Sequence, residues 1–222
     1  MSETGRPAPA SQQADHARAP ATAPRPRGLL FVLSGPSGVG KDEIARILRE
    51  DGVSFAWIVT AVTRPRRPEE QHGVHHLFMQ LDEFQQMIER GELLEWTEVY
   101  GCWYGTPRSQ VEQALAAGQD VLLRIDVQGA MKVRTAMPDA ILTFIAPSSL
   151  DELLLRRRLR HAETPEQAEI RTRLAPWEME QRWTFDYLVV NHQHRQREAA
   201  ERVKAIITAE HCRIRRRRAE GG

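Results

Sequence analysis

The sequence predicts an α/β fold, a mostly parallel sheet with helices packed on both of its faces. Short apolar runs of strand character alternate with helix-length segments between residues 29 and 211. The first run, 29–33, is continuously apolar, as expected of a strand covered on both sides. The first run, Leu29-Leu-Phe-Val-Leu33, leads straight into Gly35-Pro-Ser-Gly-Val-Gly-Lys41-Asp42. A glycine-rich loop between strand and helix marks the carboxyl edge of such a sheet, where ligands bind.

Taken in order, the strands are expected at 29–33, 55–62, 121–125, 140–145 and 187–190. Helices are expected near 42–50, 81–90, 108–117, 148–182 with a break, and 197–211. The helix at 42–50 follows the loop directly, so its positive N-terminal end faces any anion held there. The long helical stretch starts at Ser148-Ser-Leu-Asp151, a helix-start signal. No internal repeat is present.

With 222 residues, 41% hydrophobic and 27% charged, the chain suits one globular domain with a sizeable core over 28–211. Residues 1–27 are rich in Ala, Pro, Arg, Ser and Gln without periodicity and read as a disordered tail. Residues 212–222 read as a basic tail carrying four arginines at 215–218. A net charge of +1 gives no global field for nucleic acid. Apolar runs such as 141–147 fall far short of the roughly 18–20 residues that span a bilayer, so no membrane partner is expected. Two cysteines, Cys102 and Cys212, make no disulfide framework, and a cytoplasmic location is expected.

The loop matches the phosphate cradle G-x-x-x-x-G-K-[ST] at every position but the last, where Asp42 replaces the hydroxyl. Its backbone N–H groups converge on phosphate oxygens and Lys41 reaches the β- and γ-phosphates, so a nucleoside triphosphate is the expected donor. A second cluster points to the acceptor. Thr60-Ala-Val-Thr-Arg64-Pro-Arg-Arg67-Pro places guanidinium forks in a proline-stiffened turn, which suits a phosphate monoester. Downstream, 94–107 combines Glu95, aromatic residues, Thr106 and turn glycines. Guanine offers N1–H and N2–H₂ as adjacent donors and O6 as an acceptor; a carboxylate such as Glu95 takes both donors, and a hydroxyl such as Thr106 donates to O6.

From the loop through about residue 191 the chain resembles the guanylate kinases. The resemblance rests on Gly35 to Lys41, Thr63-Arg64-Pro-Arg-Arg67-Pro, Glu95-Trp96, Tyr104-Gly105-Thr106, Ile125-Asp126-Val-Gln128-Gly129, Arg157-Arg158-Leu159 and Val189-Val190-Asn191. It implies a P-loop NTPase fold with a GMP-binding lobe over about 60–107 and a small helical lid over about 156–175. It implies ATP contacts from Gly35, Pro36, Ser37, Gly38, Val39, Gly40, Lys41 and Asp42, with Asn191 near adenine. Arg64, Arg67 and Tyr104 would hold the GMP phosphate, and Thr60, Glu95, Thr106 and Asp126 would read guanine. Lys41, Arg158 and Arg173 would carry catalysis, with Mg²⁺ between the phosphates. The expected reaction is transfer of the γ-phosphoryl of ATP to GMP, as part of purine nucleotide metabolism.

The chain departs from that family pattern at four positions. His76 stands in place of a phosphate-binding tyrosine, where an imidazole can still donate. Ala162 replaces a lid arginine, for which Arg160, His161 or Arg171 could substitute. Asp42 and Arg124, the latter in place of an acid, both fall near the expected metal. Neutral hydroxyl plus acid sums to −1, whereas Asp42 plus Arg124 sums to 0, so a charge exchange is expected in which Arg124 pairs with Asp42 and Asp42 contacts Mg²⁺.

Two sibling readings frame the test. Ribose 1,5-bisphosphokinases also carry Gly-Lys-Asp in the loop, but the set Glu95, Thr106 and 125–129 favours GMP. Non-catalytic guanylate-kinase-like interaction modules have a degraded loop, whereas Lys41 and its glycines are intact. His72, His75 and His76 lack the spacing and partners of a zinc site. Trp57, Trp96, Trp103, Trp177 and Trp183 read as packing residues, and the basic run 156–160 reads as lid rather than nucleic-acid patch.

Overall fold

The computed structural model describes residues 27–99, 101–159 and 165–214. Residues 1–26 of the tail expected at 1–27, the basic run at 215–218, Arg160, His161, Ala162 and the Arg171 side chain lie outside the described residues. The core is a four-stranded, wholly parallel sheet ordered β6-β1-β7-β8. Here β1 is Leu30–Ser34, β6 Val121–Arg124, β7 Ile141–Pro147 and β8 Tyr187–Asn191. Every residue of β1 and β7 is buried, which is why both read as unbroken apolar runs. Alternate side chains serve the two faces. Phe31 and Leu33 join Ile44, Leu48, Val203 and Ile207 beneath α1 (Lys41–Glu50) and α7 (Gln196–Cys212). Leu30 and Val32 join Val111, Leu115 and Val133 beneath α3 (Arg108–Ala116) and α4 (Val127–Ala136).

A second sheet, β3-β2-β5-β4, is mostly antiparallel. It comprises β2 (Ala61–Val62), β3 (Leu77–Phe78) and the hairpin of β4 (Leu93–Val99) with β5 (Cys102–Pro107). The helix α2 (Leu81–Glu89) begins with a capping box between Gln80 and Glu83 and drops Phe84, fully buried, onto Ala61 and Leu93. The long C-terminal helical stretch divides into α5 (Leu150–Leu159) and α6 (Pro165–Glu180), followed by a 3-10 turn at Gln181–Thr184. No described helix is long and apolar enough to cross a membrane.

Three expectations are corrected. Of the strand expected over 55–62 only Ala61–Val62 forms, as β2 of the second sheet; before it, Ala56 makes one parallel bridge to Val121. Between them the Gln110 side chain takes both backbone groups of Val59, accepting from its N–H at 2.9 Å and donating to its C=O at 3.2 Å. That amide satisfies the backbone in place of a sheet ladder. The elements β3, β4, β5 and α4 add to the list read from sequence. Of the five tryptophans, Trp96 and Trp103 pack against the core of the second sheet, but Trp57, Trp177 and Trp183 are exposed.

Candidate active site

The glycine-rich loop leaves β1 at its carboxyl end. Gly35, Gly38 and Gly40 have φ of 134°, 84° and 99°, values that favour glycine. Space demands glycine as well: a Cβ at Gly35 would lie 2.2 Å from the Ile145 carbonyl oxygen, and one at Gly40 would lie 2.6 Å from Asn191 Nδ2. Lys41 Nζ donates to the carbonyls of Gly35 at 2.7 Å and Pro36 at 3.3 Å, so the ammonium is folded back across the loop mouth. Asn191 is fully buried at the end of β8 and donates from Nδ2 to the Val39 carbonyl at 2.8 Å. Its amide supports the loop from beneath.

Arg124 ends β6, beside the loop in the sheet, and donates to Asp42 Oδ1 at 2.8 Å. The expected pairing is therefore present. The Asp42 side chain is 81% exposed, and Arg124 also lies 5.8 Å from the Trp57 ring centre. In water such a pair contributes little stability, so its interest is positional.

Beyond β6 the chain turns at Asp126, the N-cap of α4, whose Oδ1 accepts from Gly129 N at 2.7 Å and from Thr97 Oγ1 at 3.4 Å. Glu95 and Thr106 face each other across the β4–β5 hairpin, and Thr106 Oγ1 donates to Glu95 Oε1 at 2.5 Å. Glu95 is only 4% exposed. Burial pushes its carboxyl up to about 7; the Thr106 hydrogen bond opposes the rise, Asp126 adds to it and Lys132 counters it. Gly129 completes the wall, since a Cβ there would lie 2.7 Å from Glu95 Oε2.

In the neighbouring turn, Arg64 meets Glu70 through two hydrogen bonds of 2.5 and 2.7 Å, a bidentate fork. Glu70 also accepts from the backbone N–H of Arg67 at 2.9 Å. The Arg64 contact holds the Glu70 carboxyl down at about 2. Tyr104 lies near Arg64, and the Arg67 side chain is exposed. His76 Nδ1 and Thr60 Oγ1 are 2.8 Å apart. Burial, then the nearby Arg64 charge, lowers the His76 imidazole below its usual range.

Thr60, Arg64, His76 and Tyr104 thus gather at one end of the second sheet, and Glu95, Thr106 and Asp126 at its seam with α4. Arg173 is exposed on α6, and the Arg158 side chain lies outside the described residues. Sequence reading missed Glu70, Thr97 and Lys132. Glu70 follows the basic run 64–67 in sequence, and which cation it takes is set by the fold. His72 and His75 accept from the backbone N–H groups of Phe78 and Gln71, and no metal-type cluster occurs among the described residues.

A parallel sheet with a phosphate-type loop at its carboxyl edge, and a carboxylate and arginine pocket beside it, defines a P-loop nucleotide-binding protein of the kinase type. The guanylate kinase family model matches residues 27–210, and the chain belongs to that family. It is similar to the guanylate kinase of Shouchella clausii (strain KSM-K16), with 45% identity over 85% of this chain and 91% of that protein. The guanylate kinase of Chelativorans sp. (strain BNC1) is 47% identical over 89% of this chain and 90% of its own length. Among solved structures, the guanylate kinase of Anaplasma phagocytophilum superposes with a TM-score of 0.67 at 32% identity, covering 85% of this chain and 89% of that one.

Proposed function

We propose that this chain transfers the γ-phosphoryl group of ATP to GMP, giving ADP and GDP. The observation that carries the base choice is the buried Glu95 carboxylate with the Thr106 hydroxyl 2.5 Å from it. When guanine enters, Glu95 accepts from N1–H and N2–H₂, Thr106 turns to donate to O6, and Asp126 supplies a further acceptor. Arg64, Arg67, His76 and Tyr104 receive the phosphate, and Thr60 orients His76. Glu70 fixes the position of Arg64 through Nη1 and Nη2.

The GMP phosphate oxygen attacks the γ-phosphorus in line; the bond to the β–γ bridging oxygen breaks, and ADP leaves with the electron pair. No general base is required, because a phosphate monoester is largely ionised near neutral pH. The loop residues 35–40 cradle the triphosphate through backbone N–H groups, and Asn191 acts by holding Val39 rather than by touching the base. Lys41, Arg158 and Arg173 neutralise the charge that develops between donor and acceptor. Asp42 fits a hard cation, because its carboxylate is exposed at the loop and Arg124 engages Oδ1 alone. It would hold Mg²⁺, which would supply positive charge to the triphosphate. The free cysteines Cys102 and Cys212 suit a reducing compartment such as the cytoplasm.

Phosphoryl-transfer assays with GMP, AMP and ribose 1,5-bisphosphate test the reading. Turnover confined to GMP is expected. Preference for ribose 1,5-bisphosphate would move the chain to a sibling activity, and no turnover with any acceptor would make it a binding module.

A further inference from the structure

The helix α4 touches the guanine-side carboxylate more than once. Asp126 caps its first turn, and Gly129 packs its backbone against Glu95 Oε2. Lys132 lies three residues beyond Gly129 and therefore on the same helix face. Its ammonium donates to the backbone carbonyl of Trp96, the residue after Glu95, and sits 4.3 Å from the centre of the Trp96 ring. The lysine is thus tied to β4 at two points. Among the described residues, Asp126 is the acid and Lys132 the cation acting on Glu95; Thr106, across the hairpin, contributes a neutral hydroxyl.

We infer that Lys132 is a positioning residue that keeps Glu95 a carboxylate, and so keeps it able to accept both guanine donors. The inference rests on the proposed GMP site and deepens it. A buried acid beside another acid gains a proton readily, and a protonated carboxyl offers guanine a donor where it needs an acceptor. Lys132 offsets the Asp126 charge from farther along the same helix. Its tie to the Trp96 carbonyl fixes the ammonium beside β4 instead of letting it swing into solvent. This also accounts for the spending of a lysine on a backbone carbonyl that lies next to the pocket.

The test is calorimetric titration of the full chain with GMP between pH 5.5 and 9, for wild type and for Lys132→Met, Lys132→Gln and Lys132→Arg, with ATP affinity measured alongside. Differences between variants cancel the ionisation of the GMP phosphate itself. If the midpoint for guanine binding rises by one pH unit, Lys132→Met loses about fivefold in GMP affinity at pH 7 and under about 1.5-fold at pH 9. Lys132→Arg should restore the wild-type profile, and ATP affinity should not move. Lys132→Gln keeps a donor for the Trp96 carbonyl without the charge. A glutamine variant with the methionine profile supports the inference, and one with the wild-type profile reduces Lys132 to an anchor and overturns it. Equal loss at every pH in both also overturns it. Should Lys132→Met fail to fold, the glutamine and arginine variants decide alone. Failure of wild type to bind GMP would instead remove the site on which the inference depends.

Discussion

Glu95 is 4% exposed and held at about 7, so it changes charge in the range where a nucleotide kinase works. Guanine requires the ionised form, and GMP affinity should therefore rise as pH increases through about 7 and then level off. His76 acts with the opposite sense. Its lowered imidazole gains a proton only on the acid side of the ordinary histidine range, and the added charge favours the GMP phosphate. KM for GMP should carry a second inflection there, which His76→Tyr removes; identical profiles in the two proteins would make His76 a bystander. Lys41, anchored on Gly35 and Pro36, is set to meet charge that develops during transfer. Lys41→Met should lower kcat by about a hundredfold or more while KM for ATP moves much less. A rise in KM alone would make the loop a binding cradle only. Residue identities of this kind were legible in the sequence because the chemistry of each was local. Glu70 and Lys132 were not, because their partners Arg64 and Trp96 are chosen by folding.

Elements place the charges that single residues cannot. The start of α1 and the end of β6 bring Asp42 and Arg124 to 2.8 Å although 82 positions separate them. A double-mutant cycle on kcat/KM with Asp42→Ser, Arg124→Glu and the pair tests the proposed charge exchange. Each single change should damage the enzyme by about tenfold or more and the double should recover; strictly additive losses would end the idea. On α4, Gly129→Ala would set a Cβ 2.7 Å from Glu95 Oε2 and displace the carboxylate from Thr106. KM for GMP should rise about tenfold or more with ATP affinity unchanged, and an unaltered KM would show that Glu95 adapts freely. Legibility follows the same physics. The strands β1, β7 and β8 were readable because continuous apolar runs admit few alternatives. The hairpin was hidden because β5 contains Gly105 and Pro107 and β4 turns Glu95 inward. The helix α4 carries a glycine in its first turn and little amphipathic contrast. The run at 55–62 has strand composition, but Gln110 captures the Val59 backbone that a ladder would need.

Across the whole molecule, the pocket carboxylates link function to stability. Glu95 has a folded value raised from 4.5 to about 7, so the folded state binds the extra proton between those values. Its contribution is fully present below pH 4.5 and is lost as pH rises through about 7. Glu70 has the opposite sign: its value falls from 4.5 to about 2, so its contribution is present above pH 4.5 and disappears as pH drops through about 2. Calorimetric unfolding should give a Tm that declines between pH 5 and 8 in wild type and declines less in Glu95→Gln. Parallel curves would mean that the carboxyl titrates as freely when folded as when unfolded.

The claim at the centre is that a buried carboxylate reads guanine for phosphoryl transfer, and Glu95→Gln addresses it directly. An amide presents one donor and one acceptor where guanine needs two acceptors. Measured together, kcat/KM for GMP and Kd for ATP should separate, the first falling by about a hundredfold or more and the second staying within about twofold. An unchanged kcat/KM for GMP in a folded Glu95→Gln protein would contradict the account.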